Sequence, residues 1–237
     1  MHLNPLRLLC LLTGVILAAP IWACGWWGDG EASISLNPQS VLTIDAGGNV
    51  VGVDGPTRQP PEAMLQIGDR FRTGSGGVRD DRMAVHWYRQ AARQGFVPAQ
   101  YNLAMMYERG RGVERDFGRA AMWYRRAATL GDVHAQHHLG EMYQQGRGVT
   151  RDPGEALRWI KRAAEQGHAE LFADLAAAYW QGKGTEPNPF QAYLWWRLAV
   201  LHGEGGGDQS NQARARLTTE QAADAQRQVR MRMARWR

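Results

Sequence analysis

Three histidines stand close together at 134, 137 and 138. His134 and His138 are four residues apart, the spacing that places two imidazoles on one helix face. Zinc needs further ligands, and the glutamate of a His-Glu-x-x-His protease is missing because Glu141 lies outside the pair. Two cysteines, Cys10 and Cys24, cannot build a thiolate site once an export signal has removed the first. The stretch Thr73-Gly74-Ser75-Gly76-Gly77 is not the Gly-x-Ser-x-Gly turn of a serine hydrolase. Recurring glycine pairs lack the Lys-Ser/Thr of a phosphate-binding loop, and no two carboxylates are spaced for acid–base work. The expectation is therefore a non-enzyme with no catalytic residue, no cofactor and no metal ligand.

Cys24 has the best-defined chemistry. After Arg7, residues 8–19 form a run of twelve without charge, shorter than the about 20 that span a bilayer and suited to a signal-peptide core. No other stretch approaches membrane length. Ile21-Trp22-Ala23 before Cys24 resembles the bacterial lipobox, although Trp22 is bulkier than the usual residue. Ile21 also fits the minus-three position of ordinary signal peptidase, so both processing routes stay open for a signal peptide over 1–23. Lipidation would use the single thiol left in an oxidising compartment; the other reading is a free thiol on a flexible terminus. Gly25 stands where an Asp would resemble an inner-membrane retention signal, which leans towards the outer membrane. The expected location is the periplasm, with an outer-membrane lipoprotein as the outcome if Cys24 is lipidated.

The elements behind these residues follow from composition. The chain has 237 residues, 44% hydrophobic and 22% charged, which excludes a disordered protein. Its 28 glycines have no three-residue period, which excludes collagen. They have another period. Trp87, Trp123, Trp159 and Trp195 are 36 apart, and so are Gly95, Gly131, Gly167 and Gly203. The pairs Gly74/Gly76, Gly110/Gly112, Gly146/Gly148 and Gly182/Gly184 keep the step, with Phe71, Tyr107, Tyr143 and Tyr179 just before them. Two alanine columns, from Ala84 and Ala91 onward, do the same. Four units, 63–96, 97–132, 133–168 and 169–203, therefore occur without insertion.

Each unit reads as helix, loop, helix. Ala99, Leu103, Met106 and Tyr107 make an apolar stripe at helical spacing. Gly110 sits where a helix wants a left-handed terminal residue. Asp80, Asp116, Asp152 and Asn188 are recurring N-caps, with Pro153 and Pro189 as first helical residues after two of them. Asp152 and Glu155 have capping-box spacing. A single pair leaves one face bare, and stacking on the next unit buries it.

The pattern is similar to the Sel1-like repeat. Tyr-Glu-Arg-Gly-Arg-Gly-Val at 107–113, Ala-Ala-Met-Trp-Tyr-Arg-Arg-Ala-Ala at 120–128 and Leu-Gly-Glu-Met-Tyr-Gln-Gln-Gly-Arg-Gly-Val at 139–149 carry the resemblance. The tetratricopeptide repeat, with a period of about 34, does not fit. The first unit departs in its loop valine. The fourth has Leu171 in place of the first-helix alanine and Thr185 in place of the loop valine. The resemblance implies an all-α, right-handed α/α superhelical solenoid of four helix pairs closed by a C-terminal capping helix.

The flanks differ in charge. Residues 24–62 carry five acids and one base, net −4, against 19 bases and 14 acids, net +5, in the repeats. Residues 41–44 and 50–53 flank a Gly-rich turn and predict a small hairpin in an otherwise extended arm. Trp26 and Trp27 fit either a membrane interface beside the anchor or packing on the first repeat. Residues 204–237 read as a flexible link over 204–207 and a helix capped by Thr218 or Thr219 to about Trp236. Arg227, Arg230, Arg235 and Arg237 lie off its apolar face, free to meet an anionic partner or simply solvated.

Function follows from the resemblance. It implies a non-catalytic protein–protein interaction scaffold of the bacterial envelope, binding another envelope protein or peptide and no nucleic acid. The concave face would offer Asn102, Met105, His138, Glu141 and Met142. The alternative is a stress or host-interaction factor whose basic surface binds envelope polymers. Some Sel1-like proteins with a cysteine pair in each repeat are linked to β-lactam binding or hydrolysis. No cysteine occurs in 63–203, so that subclass is not matched.

Overall fold

The computed structural model describes residues 25–26, 32–37, 40–44, 50–54, 59–75 and 77–236. The predicted signal peptide over 1–23, Cys24 and Trp27 lie outside the described residues. The chain divides into two units, one ending at Gln59 and one running from Pro60 to Arg237.

In the first unit, strands β1 (Gly25–Trp26), β2 (Ala32–Asn37), β3 (Ser40–Ile44) and β4 (Val50–Asp54) form an antiparallel sheet in sequence order. The expected hairpin is β3–β4, with Leu42 opposite Val53. Two further strands extend it, and Ile34 lies opposite Leu42 on the other side. The alternation Ser33-Ile34-Ser35-Leu36 is the signal for β2 that the hairpin reading left unused.

The second unit is a stack of helices. Helices α1 (Pro61–Thr73), α3 (Val97–Arg109), α5 (Val133–Gln145) and α7 (Phe172–Gln181) are the first members of four pairs. Helices α2 (Asp81–Arg93), α4 (Phe117–Thr129), α6 (Pro153–Glu165) and α8 (Pro189–His202) are the second. Every predicted N-cap is made: the side chains of Asp80, Asp116, Asp152 and Asn188 all accept from backbone N–H groups of the helices they start. Glu155 does not complete a capping box but pairs with Arg158 at 2.6 Å.

Loop and helix lock together through the backbone. The N–H groups of the same four caps donate to the carbonyls of Phe71, Tyr107, Tyr143 and Tyr179 at 2.9, 3.0, 3.0 and 2.8 Å. Gly112, Gly148 and Gly184 have φ of +67°, +67° and +76°. Each lies so close to the first residue of the preceding second helix that a Cβ would overlap the carbonyl of Asp81, Phe117 or Pro153. Only glycine meets both demands. Arg111 adds an ion pair to Asp81 at 3.1 Å, and Arg79 pairs with the same carboxylate at 2.7 Å.

Packing follows the columns. Trp87, Trp123 and Trp159 are nearly buried and Trp195 is fully so, while the alanines beside them are closed off and let the helices approach. Arg126 and Arg162 lie over the Trp123 and Trp159 rings at 4.7 and 4.6 Å. Gln100 and Gln136, both buried, donate to the carbonyls of Ala92 and Ala128 at the end of the previous helix.

The period breaks between the third and fourth pairs. Leu171 and Phe172 occupy the slots of Ala135 and Gln136, and the helix opens with a 3-10 turn, Ala169–Leu171. The buried side chains fall into two clusters that meet at α6, where Trp159 belongs to the first and Leu157, Ala163 and Ala164 to the second.

The tail holds two helices rather than a link and one helix. Helix α9 (Gly207–Ala215) packs on α8 through Ser210 and Ala213, and α10 (Thr219–Arg235) is started by a full Thr218/Gln221 capping box. Ala222, Ala225 and Val229 are its buried face. Arg227, Arg230 and Arg235 are exposed, while Arg232 is drawn in over the Trp195 ring at 5.5 Å. Trp236 stacks on Phe172, and its indole N–H donates to the Glu165 carbonyl at 3.1 Å.

Two outcomes test this account. Gly131, with φ +98° and open space around its Cα, and Gly148 separate conformational cost from overlap. Gly131→Ala should cost about 1 kcal/mol in urea unfolding, and Gly148→Ala roughly 3 kcal/mol or more. Equal losses would remove the interlock. Hydrogen bonding from Arg79, with the Arg111 charge, holds the Asp81 carboxyl at about 2 against an ordinary 3.8. Its contribution is therefore complete above the unfolded value and fades as pH falls from about 4 to about 2. Asp81→Asn should cost roughly 1 kcal/mol at neutral pH, and the deficit should shrink over that window. A deficit that persists unchanged at pH of about 2 would place its source elsewhere.

Candidate functional site

The first helices of each pair lie side by side, and the off-period residues of α3 and α5 make one polar, aromatic strip. At its base the buried Tyr124 hydroxyl donates to Glu108 at 2.7 Å. Burial, reinforced by the Glu108 charge, pushes the Tyr124 hydroxyl well above the ordinary tyrosine value, so it stays a neutral donor. Arg147 stands 3.6 Å from the same carboxylate. The His138 ring stacks on Tyr124, centroids 5.0 Å apart and planes at 11°, and Tyr101 leans on His138 and His134.

His137 and His138 share Glu141, at 3.8 and 3.5 Å. A hydrogen bond with His138, helped by the charges of both imidazoles, outweighs burial and holds the Glu141 carboxyl below its usual range. Burial moves His137 the other way: it disfavours the imidazolium, and His138 and His168 oppose it too, despite Glu141. His168, from the turn after α6, meets His134 and His137 with centroids 5.4 Å away in each case. Among the described residues no group of three or more His, Cys, Asp and Glu is arranged to hold a metal ion.

The sequence-predicted residues separate. His138 and Glu141 come together as described. Asn102 is half-buried in the slot one period before His138, and Met105, one period before Glu141, is half-buried against the core. Met142 is a correction: it is fully buried. It occupies the slot of Met106, which belongs to the apolar stripe of the preceding repeat, so the helix turns it inward and Glu141 outward. Cys24 lies outside the described residues. Tyr101, Glu108, Tyr124, Arg147 and His168 were not predicted, because they meet only when neighbouring repeats stack.

Where the period breaks, the strip opens into a groove of about 310 Å³ between α5 and α7, floored by α6. Ile160, Leu171 and Leu175 make its apolar floor and wall, with Ala177 and Ala178 beside them. His137 and Asp174 belong to the early turns of α5 and α7, Glu141 lies one turn beyond His137, and Arg151 and Lys183 follow the C-terminal ends of the two helices. Ile160 replaces the tyrosine of the two earlier pairs, and Gly140 faces it with no room for a Cβ.

Comparison with known proteins gives this architecture a family. The Sel1 repeat profile matches residues 61–96, 97–132, 133–168, 173–204 and 196–225. Its last match takes in α9, the helix absent from the sequence expectation. The crystal structure of c5321, a protective antigen of uropathogenic Escherichia coli with an SLR fold, is 37% identical. It aligns over 60% of this chain and 31% of its own, with a TM-score of 0.58. A Sel1 repeat protein from Oxalobacter formigenes is 34% identical over 62% of this chain and 60% of its own, with a TM-score of 0.60. This chain thus spans about a third of the first neighbour and three fifths of the second. No curated protein matches it by sequence. Sel1 repeats are generally scaffolds for protein–protein interaction. Four successive helix pairs on one 36-residue period, with glycines and caps in register, make this chain a member of the Sel1 repeat family.

Proposed function

We propose that the protein is a non-catalytic scaffold of the bacterial envelope, exported, anchored through lipid on Cys24, and binding a segment of another envelope protein. The observation that carries the binding face is the strip of half-exposed aromatic, imidazole and carboxylate groups on α3 and α5 that runs into an apolar-floored groove. Such a surface combines rigid ring area with oriented polar groups, the ingredients of peptide recognition. The Tyr124–Glu108 hydrogen bond and the Glu141 contacts hold those groups in place before a partner arrives, which lowers the ordering cost of binding. The support for the anchor is sequence alone: the uncharged run, the lipobox-like residues and the single remaining thiol.

A photo-reactive side chain at position 105 or 138 should crosslink a defined partner in cells, whereas one at Met122, exposed on α4, should not. The adduct should survive about 0.15 M salt, where polymer binding by surface charge is strongly screened. An equal yield from all three positions would remove the first-helix face as the binding surface. For the anchor, Cys24→Ala should move the protein from the membrane fraction to the soluble periplasm. Unchanged membrane fractionation would leave the thiol without its proposed use.

A further inference from the structure

The groove between α5 and α7 has ends of opposite charge, and this carries information about what enters it. At one end Lys183 and Arg151 stand over the start of α6, where Pro153 lines the same cavity. In the two preceding repeats the slot of Lys183 is held by Arg111 and Arg147, which are engaged with Asp81 and with Glu108. Among the described residues Lys183 has no ion-pair partner, and Arg151 donates only to the Gln144 carbonyl, at 3.1 Å. Neighbouring carboxylates are occupied: Asp152 caps α6 and Glu155 pairs with Arg158. The end of the groove therefore presents two exposed cations without ion-pair partners among the described residues, beside a helix start whose N–H groups are already capped by Asp152.

Towards the opposite end stands Asp174, which has no ion pair among the described residues, and midway along the α5 wall stands Glu141, shared with His137 and His138. Between the two ends lies the apolar floor. The volume of about 310 Å³ matches the liquid share of roughly ten waters. That is room for one large side chain and the backbone beside it. The wall from His137 to Gln144 is eight residues of helix, about 10 Å from first to last, the span of roughly three residues of extended chain.

We infer that this groove takes the free C-terminus of a partner protein ending in a large apolar residue. The terminal carboxylate meets Lys183 and Arg151, the last side chain fills the floor over Ile160 and Leu175, and a basic residue two positions earlier meets Glu141 and Asp174. The inference rests on the scaffold reading above and adds the partner's chemistry to it. A chain end offers its carboxylate directly beside the last side chain, whereas an internal segment could offer only an Asp or Glu side chain, which the acid–amide comparison distinguishes. A polyanion would be repelled by Asp174 and Glu141.

The test uses the purified protein and the N-terminally labelled peptide Gly-Ser-Gly-Ser-Lys-Ser-Leu, as free acid and as C-terminal amide, read by fluorescence anisotropy. The free acid should bind about tenfold or more tighter than the amide. Lys183→Glu or Arg151→Glu, both at exposed positions, should erase that difference while leaving the circular dichroism spectrum unchanged. Replacing the last Leu of the peptide by Asp should abolish binding. Equal affinity for acid and amide overturns the inference, as does an acid–amide difference that survives both charge reversals. No binding of the free acid at about 1 mM overturns it too. The crosslinking yield from position 138 is a separate readout. If it persists while the free acid fails, the scaffold reading stands and the C-terminal occupant falls.

Discussion

The stack depends on a backbone-to-backbone contact that recurs once per repeat. Gly112, Gly148 and Gly184 press on the first carbonyls of α2, α4 and α6, while each cap N–H returns a hydrogen bond to the aromatic column. Side chains can repack around a changed neighbour; two main chains in contact cannot. The loop that joins the helices of one pair is therefore also the piece that seats that pair on the one before. An extra residue anywhere in this loop would lift the glycine off the carbonyl and change the angle between pairs. This explains why four units repeat without insertion, and why residues 36 apart fall on equivalent slots of neighbouring helices.

Binding chemistry then belongs to the positions that leave the period. Tyr124 gives way to Ile160, Ala135 to Leu171 and Gln136 to Phe172, and all three changes meet at one junction. The large side chains at the start of the fourth pair replace the first helical turn with a 3-10 turn and pack in one cluster with Leu157, Ala163 and Ala164 of α6. A glycine at 140 lets Ile160 sit deep, and a groove is left above it. The same repeat that supplies rigidity thus makes any departure from it a local feature with a fixed frame on both sides.

Much of this frame was legible in the sequence, because a period constrains many residues at once. The helix pairs, the four N-caps, the left-handed glycines and the β3–β4 hairpin follow from spacing and residue type. The face was read less well, and Met142 shows why. Its column partner Met106 already belonged to an apolar stripe, so the 36-residue step assigns Met142 to the core without any structure. His168 and Tyr124 are a different case. Their meeting with the α5 histidines is set by stacking geometry, which no spacing along one helix encodes. Helix α9 escaped because three glycines precede it and only Ser210 and Ala213 are buried, too few for an apolar stripe.

Trp236 gives the array an uneven cooperativity. Nearly all contacts here join adjacent helices, the condition under which a repeat protein can open from its ends one unit at a time. The indole of Trp236 reaches back to Glu165, 71 residues earlier, and stacks on the first residue of α7. That closure gathers α7, α8 and the terminal helices into a block built on the second core cluster. Among the described residues the first two pairs have no tie of that reach, and they share the other cluster with α5 and Trp159. The helical unit is thus a chain of similar parts whose C-terminal end is bolted back onto its interior. The groove lies on that bolted block, over α6, the helix that both core clusters share.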